Sequence, residues 1–178
     1  MPIDRGAVEA ARHGIARSPH WPAVERAFRE SHPTCLACAV EANDEKKPER
    51  SVQVHHCHPF HYVVALGRPD LELDPRNLVA LCEDEKGRPA EDHHLLIGHL
   101  GNFKEGNLNV AADASGVYHG LSKAVIRNDA TWKDETRSGR LKPLDEMTAE
   151  EKRAYRSVLD RSIPPDRILI QRYGLQVT

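Results

Sequence analysis

Short apolar blocks separated by long polar stretches run along the chain, and their period changes from one block to the next. Trp21, Val24 and Phe28 recur at i, i+3 and i+7, the spacing of one helix face, over a stretch that Ser18-Pro19 opens and Pro33 closes. Upstream, Val8, Ala11 and Ile15 keep roughly helical spacing in a small, polar segment, which predicts a weak helix or an arm over residues 1–17. In Ser51-Val-Gln-Val-His-His56 the period becomes two, predicting a short strand with Val52 and Val54 on its buried face. Leu78-Val-Ala-Leu-Cys82 is a second short apolar strand. Residues 57–77 between them are rich in Pro, Gly and Asp and read as a loop, interrupted by Tyr62-Val-Val-Ala-Leu66.

Residues 93–103 predict a helix begun from Asp92, while the charged stretches 41–50 and 83–92 read as solvated loops. Residues 123–142 hold six bases against three acids without a clear period. Thr148-Ala-Glu-Glu151 is a capping box, opening a helix whose Tyr155, Val158 and Leu159 face inward. Pro164-Pro165 stops that helix, and residues 168–173 read as a last strand. Short strands followed by helical segments give an α+β fold.

Composition narrows the picture. At 178 residues the chain has the size of one domain with appendages, and two Trp, four Tyr and three Phe leave it a thin core. A bound metal is the usual remedy. No run approaches the roughly 20 apolar residues that span a bilayer, so no membrane association is expected. The first residues lack the apolar stretch of a secretory signal, which predicts the reducing cytoplasm and unpaired thiols. A net charge of −2 predicts no strong non-specific attraction to nucleic acid from the chain as a whole. Seven of the eleven histidines fall between His55 and His99, and Cys35, Cys38, Cys57 and Cys82 lie in or beside the same stretch. Cys35, Cys38 and Cys82 supply three thiolates in the pattern of a structural zinc site.

In order, the chain therefore presents Cys-x-x-Cys, a strand, His-His, a loop, Asn, a strand, Cys, His-His and a further His. His55-His56-Cys57-His58-Pro59 resembles the [D/H]-H-x-x-P signature of the HNH endonucleases. Asp74-Pro-Arg-Asn77-Leu-Val-Ala-Leu-Cys82 is similar to that family's central Asn-Leu-x-x-Leu-Cys segment, and His93-His94 with His99 falls where the family carries Cys-His and a later His. The similarity covers roughly residues 18–107. It implies a small ββα-metal core with short strands, stapled by zinc and flanked by helical extensions. The arm would be 1–17, the nuclease-like domain 18–110, and the C-terminal extension 111–178.

The resemblance also implies roles. His56 would be the general base that activates water, and Asn77 would orient it by fixing the adjoining loop. His55, His94 and His99 would hold a catalytic divalent metal, Mg²⁺, Mn²⁺, Ni²⁺ or Zn²⁺. His93, at the position of the family's fourth cysteine, would complete a structural Zn²⁺ site with Cys35, Cys38 and Cys82, leaving Cys57 to the core. One spacing is awkward, because residues five apart on an ideal helix point about 140° away from each other. Either the helix starts after His94, or it is locally irregular, or His99 is not a ligand; the Asp92-His93-His94 sequence favours the first. Arg68, Arg76, Lys104 and the 123–142 run are the candidate phosphate contacts. The absence of an aromatic platform for single strands favours duplex DNA. The expected activity is metal-dependent hydrolysis of DNA phosphodiester bonds, and its rival is a non-catalytic zinc module binding nucleic acid or protein.

Overall fold

A computed structural model describes residues 5–38, 51–83, 92–133 and 139–178. The two charged loops lie outside the described residues, apart from Glu83 and Asp92, and so do residues 134–138 of the basic run. In chain order the first elements are α1 (Arg5–Arg12), α2 (Trp21–Ser31), β1 (Ser51–His56), α3 (Phe60–Ala65), α4 (Asp70–Leu73), a 3-10 turn (Pro75–Asn77) and β2 (Leu78–Glu83). A π turn (His94–Gly98), α5 (Val110–Ala112), a second π turn (Asp113–Val117), α6 (Lys123–Asn128) and a 3-10 turn (Ala130–Lys133) follow, then α7 (Ala149–Ser162) and α8 (Arg167–Tyr173). Helices accompany one small antiparallel pair of strands, an α+β architecture. No helix of the described residues is long and apolar enough to cross a membrane.

The chain divides into two compact units. One comprises Met1–Arg26, His58–Leu78 and Lys142–Thr178. Here α3 packs on α1 and α4, and α4 also meets α8. The predicted loop 57–77 is instead largely helical. Its prolines explain this, since Pro59 and Pro69 sit at helix N-caps and Pro75 in the first turn, where a missing N–H costs nothing. Phe60, Tyr62, Val63, Leu71 and Leu73 are thereby buried. The capping box at Thr148 and Glu151 forms as predicted, but only Tyr155 and Leu159 turn inward; Val158 is 44% exposed. The predicted last strand is a helix. Asp166 accepts hydrogen bonds from the backbone N–H groups of Ile168 and Leu169, and Gly174 ends the helix in the left-handed region at φ 61°.

The second unit, Ala27–Cys57 and Val79–Leu141, carries the strand pair. All of Leu78–Cys82 is buried, whereas Val52 and Val54 are only half-buried. The core joins Val79 and Leu81 of β2 to Leu96 and Ile97 of the π turn, with Val110, Tyr118, Ile126 and Trp132 around them. β1 packs directly against that π turn. Two places in the 123–142 run that showed no period prove helical: Ser122 accepts from the Val125 N–H to cap α6, and a 3-10 turn carries the buried Trp132.

Candidate metal centres

Cys35 and Cys38 lie on the turn that follows α2, where the Cys38 N–H donates to the Cys35 carbonyl at 3.3 Å. The Leu36 N–H donates to the Ala80 carbonyl at 2.9 Å, which fixes this turn against β2 and brings it beside Cys82. His93, at the start of the π turn, points Nδ1 at all three sulfurs: 3.5 Å from Cys35, 3.4 Å from Cys38 and 3.4 Å from Cys82. The Sγ atoms of Cys38 and Cys82 are 3.9 Å apart, and all four cysteines are free thiols. A tetrahedral zinc site with Zn–S near 2.3 Å and Zn–N near 2.0 Å has edges of about 3.5–3.8 Å. The Cys3His cluster has those dimensions and that donor chemistry, and is compatible with structural zinc.

The groups of the cluster shift one another's proton affinity. Hydrogen bonds from Cys35 and Cys38 hold the Cys82 thiol well below its ordinary value, with His93 assisting. Cys35, donating to its two sulfur neighbours and buried, is pushed far up. Burial alone would lower His93, but hydrogen bonds to Cys38 and Cys82, and their charge, raise it to about 9. Metal binding to such a cluster would require these groups to give up their protons. Cys57 stands outside it, half-buried against the core with its thiol raised to about 12 by burial, as expected of a neutral packing residue.

The second cluster consists of His55, His94 and His99, with one ring nitrogen of each lying within 4.8 Å of the other two. Ring centroids are 5.2 Å (His55–His94), 4.9 Å (His55–His99) and 5.0 Å (His94–His99) apart. The helix does not begin after His94; it begins at His94 as a π turn. The wider i→i+5 turn brings residues five apart back to one face, which removes the 140° conflict. Gly98 is needed in this turn because a Cβ there would meet the His55 ring at 3.0–3.3 Å. His99 Nδ1 lies 2.9 Å from the Glu105 carbonyl oxygen, which only accepts, so Nδ1 carries the proton and Nε2 keeps its lone pair. His55 is held well below its ordinary value by burial, then by the neighbouring His99, His94 and His56. It is a neutral imidazole and available as a ligand.

His56 follows His55 on β1 and therefore projects to the other face. It is buried there, 7% exposed. Asn77 is fully buried and clamps His58, two residues further on: its Oδ1 accepts from the His58 N–H at 2.8 Å and its Nδ2 donates to the His58 carbonyl at 2.9 Å. The same Nδ2 donates to the Leu71 carbonyl at 2.9 Å. His58, in the segment that reads as a loop, places Nδ1 at 2.8 Å from the Tyr155 hydroxyl. The role of Tyr155 left no trace in the sequence beyond helical spacing, because it lies 97 positions away.

The candidate phosphate contacts divide three ways. Arg68 must be corrected: it is 0% exposed, with Nε and Nη2 donating to Asp70, Nη1 to Asp160 and Nη2 to the Ile163 carbonyl. Every face of that guanidinium is engaged internally, so it is a structural residue. Arg76 is half-exposed but already paired with Asp74 at 2.6 Å. Lys104 is exposed, at the turn after Phe103. Compared with protein-family models, curated proteins and solved structures, the chain matches none.

Proposed function

We propose that this chain is a metal-dependent nuclease of the HNH type, its two short strands and the His94 turn forming a ββα-metal core. The observation that supports this most is the convergence of His55, His94 and His99 beside a separate Cys3His cluster. A packing or purely zinc-stapled module gains nothing from a second histidine cluster. In this reading Cys35, Cys38, Cys82 and His93 hold the structural zinc, and the three histidines hold the second ion. When bound, that ion supplies Lewis-acid charge to the phosphate and to the leaving 3′-oxygen. His56 accepts the proton of the attacking water, and Asn77 fixes the backbone that follows it. Duplex DNA is the substrate, Lys104 and the solvent side of Arg76 the phosphate contacts, and the reducing cytoplasm the setting.

Two observations favour the rival, a non-catalytic binding module on the same scaffold: the proposed base is buried, and it projects to the opposite face of β1 from His55. A plasmid assay separates the two readings. Supercoiled DNA is incubated with the wild type and with His56→Ala in Mg²⁺, Mn²⁺, Ni²⁺ or Zn²⁺, beside a binding measurement. Metal-dependent nicking or cutting that drops by about 10² or more in the variant, with DNA affinity kept, supports the nuclease. DNA binding without cleavage above the variant's background establishes the module.

A further inference from the structure

His94 differs from its neighbour His99 in one respect. The Nδ1 of His99 has its carbonyl acceptor, whereas the Nδ1 of His94 is buried without a hydrogen-bond partner among the described residues. Buried polar atoms are rarely left so. A carboxylate oxygen of Glu83, at the end of β2, lies 3.7 Å from that nitrogen. This is too long for a hydrogen bond, but within the reach of a flexible, partly exposed side chain. The histidine cluster itself consists of His55, His94 and His99, without Glu83.

We propose that Glu83 is a positioning residue of the histidine site. Its carboxylate accepts the Nδ1–H of His94, fixes the tautomer that keeps the lone pair on Nε2, and orients that nitrogen toward a divalent cation. The inference rests on the reading of His55, His94 and His99 as a metal site. Glu83 would do for His94 what the Glu105 carbonyl does for His99, with the added charge that makes an imidazole a better donor to a cation. Position in the chain makes the pairing natural: Glu83 directly follows Cys82, and His94 directly follows His93. The Cys3His cluster that joins Cys82 to His93 therefore brings the next residue of each segment together.

Two measurements test it, both on full-length protein whose Cys3His cluster is loaded with zinc. The first uses no second metal: heteronuclear NMR of the imidazole nitrogens reads the His94 tautomer. The wild type should show Nδ1–H, Glu83→Gln should largely keep it because the amide oxygen still accepts, and Glu83→Ala should move toward Nε2–H. An Nε2–H tautomer in the wild type, or no change in Glu83→Ala, overturns the proposal. The second titrates Co²⁺. Glu83→Ala should bind it about 10–100-fold more weakly than wild type with an unchanged ligand-field spectrum, and Glu83→Gln should fall between. Equal affinities overturn the role of Glu83 while leaving the metal site standing. A changed coordination spectrum overturns it too, by making Glu83 a ligand. A wild type that binds no second ion, or a His94→Ala variant that binds it as tightly as wild type, removes the site and the inference together. Should Glu83→Ala not fold, Glu83→Gln with its preserved shape decides on both readouts.

Discussion

At the scale of the residue, each site depends on a few atoms whose neighbours are known. Gly98 gives the sharpest case, because its backbone is ordinary and only the His55 ring forbids a side chain. Gly98→Ala should displace that ring and weaken the second metal site by an order of magnitude or more, with zinc content unchanged; calorimetric titration of Co²⁺ reads the first and metal analysis the second. The thiols are not equivalent either. Cys82→Ser removes a ligand and should cost the protein its zinc and most of its stability, whereas Cys57→Ser, outside the cluster, should keep the zinc equivalent. Comparable zinc loss in both would contradict the Cys3His assignment. Asn77 shows how much one side chain can hold: leaving the His58 N–H and two carbonyls without it should cost at least about 1–3 kcal/mol. Chemical denaturation of Asn77→Ala measures it.

At the scale of the element, caps explain both the helix that was expected and the one that was not. α7 starts where Thr148 accepts from the Glu151 N–H and Glu151 accepts from the Thr148 N–H, so Thr148→Ala should cost about 1 kcal/mol in denaturant unfolding. α8 has a cap of the same kind in Asp166, visible in the chain two residues before an apolar run that looked like a strand. Ile168-Leu169-Ile170 has high strand propensity, but propensity is a weak prior beside a cap at one end and a left-handed glycine at the other. The π turn belongs at this scale too. Nothing in His94-Leu-Leu-Ile-Gly-His99 distinguishes it from an ordinary helix. Packing does: Leu96 and Ile97 are held in the core while His94 and His99 face His55.

At the scale of the whole molecule, small cores need staples, and the Cys3His cluster and a buried ion-pair network are the two candidates. Chelating the zinc should unfold the unit that carries it, since structural zinc supplies on the order of 10 kcal/mol; circular dichroism before and after chelation reads this. The other unit adds a buried ion-pair network to its apolar core. Arg68 joins Asp70, Asp160 and the Ile163 carbonyl, and removing one partner of a buried pair costs about 3–5 kcal/mol, the loss expected for Asp70→Ala. Its acid sensitivity follows from histidine. Burial lowers His58 to about 4, and burial with His13 and Arg17 lowers His61 to about 4. The unfolded chain therefore binds protons that the folded one does not between about pH 6.5 and 4, and stability falls as pH drops through that window. Asp160 adds to this only below its ordinary 3.8: burial opposes its ionisation, but Arg156 and Arg68 outweigh it and hold it lower. Denaturation midpoints at pH 7 and 4.5 should differ, and His58→Gln should narrow the difference.

The chain alone determined the order of the clustered cysteines and histidines, the strands that carry His55 and Cys82, and the capped helix at Thr148, because each is written in spacing or in a local hydrogen bond. It also pointed to His93 as partner of three cysteines, although 10 residues separate it from Cys82. Tertiary structure alone decided the rest. Whether Arg68 meets phosphate or buries itself depends on Asp160, 92 positions away. Whether His99 can join His94 depends on a π turn that only packing against the core and His55 selects. The burial of His56 and the approach of Glu83 to His94 likewise exist only once distant segments are brought together, since periodicity reports the face a residue occupies and not what lies opposite it.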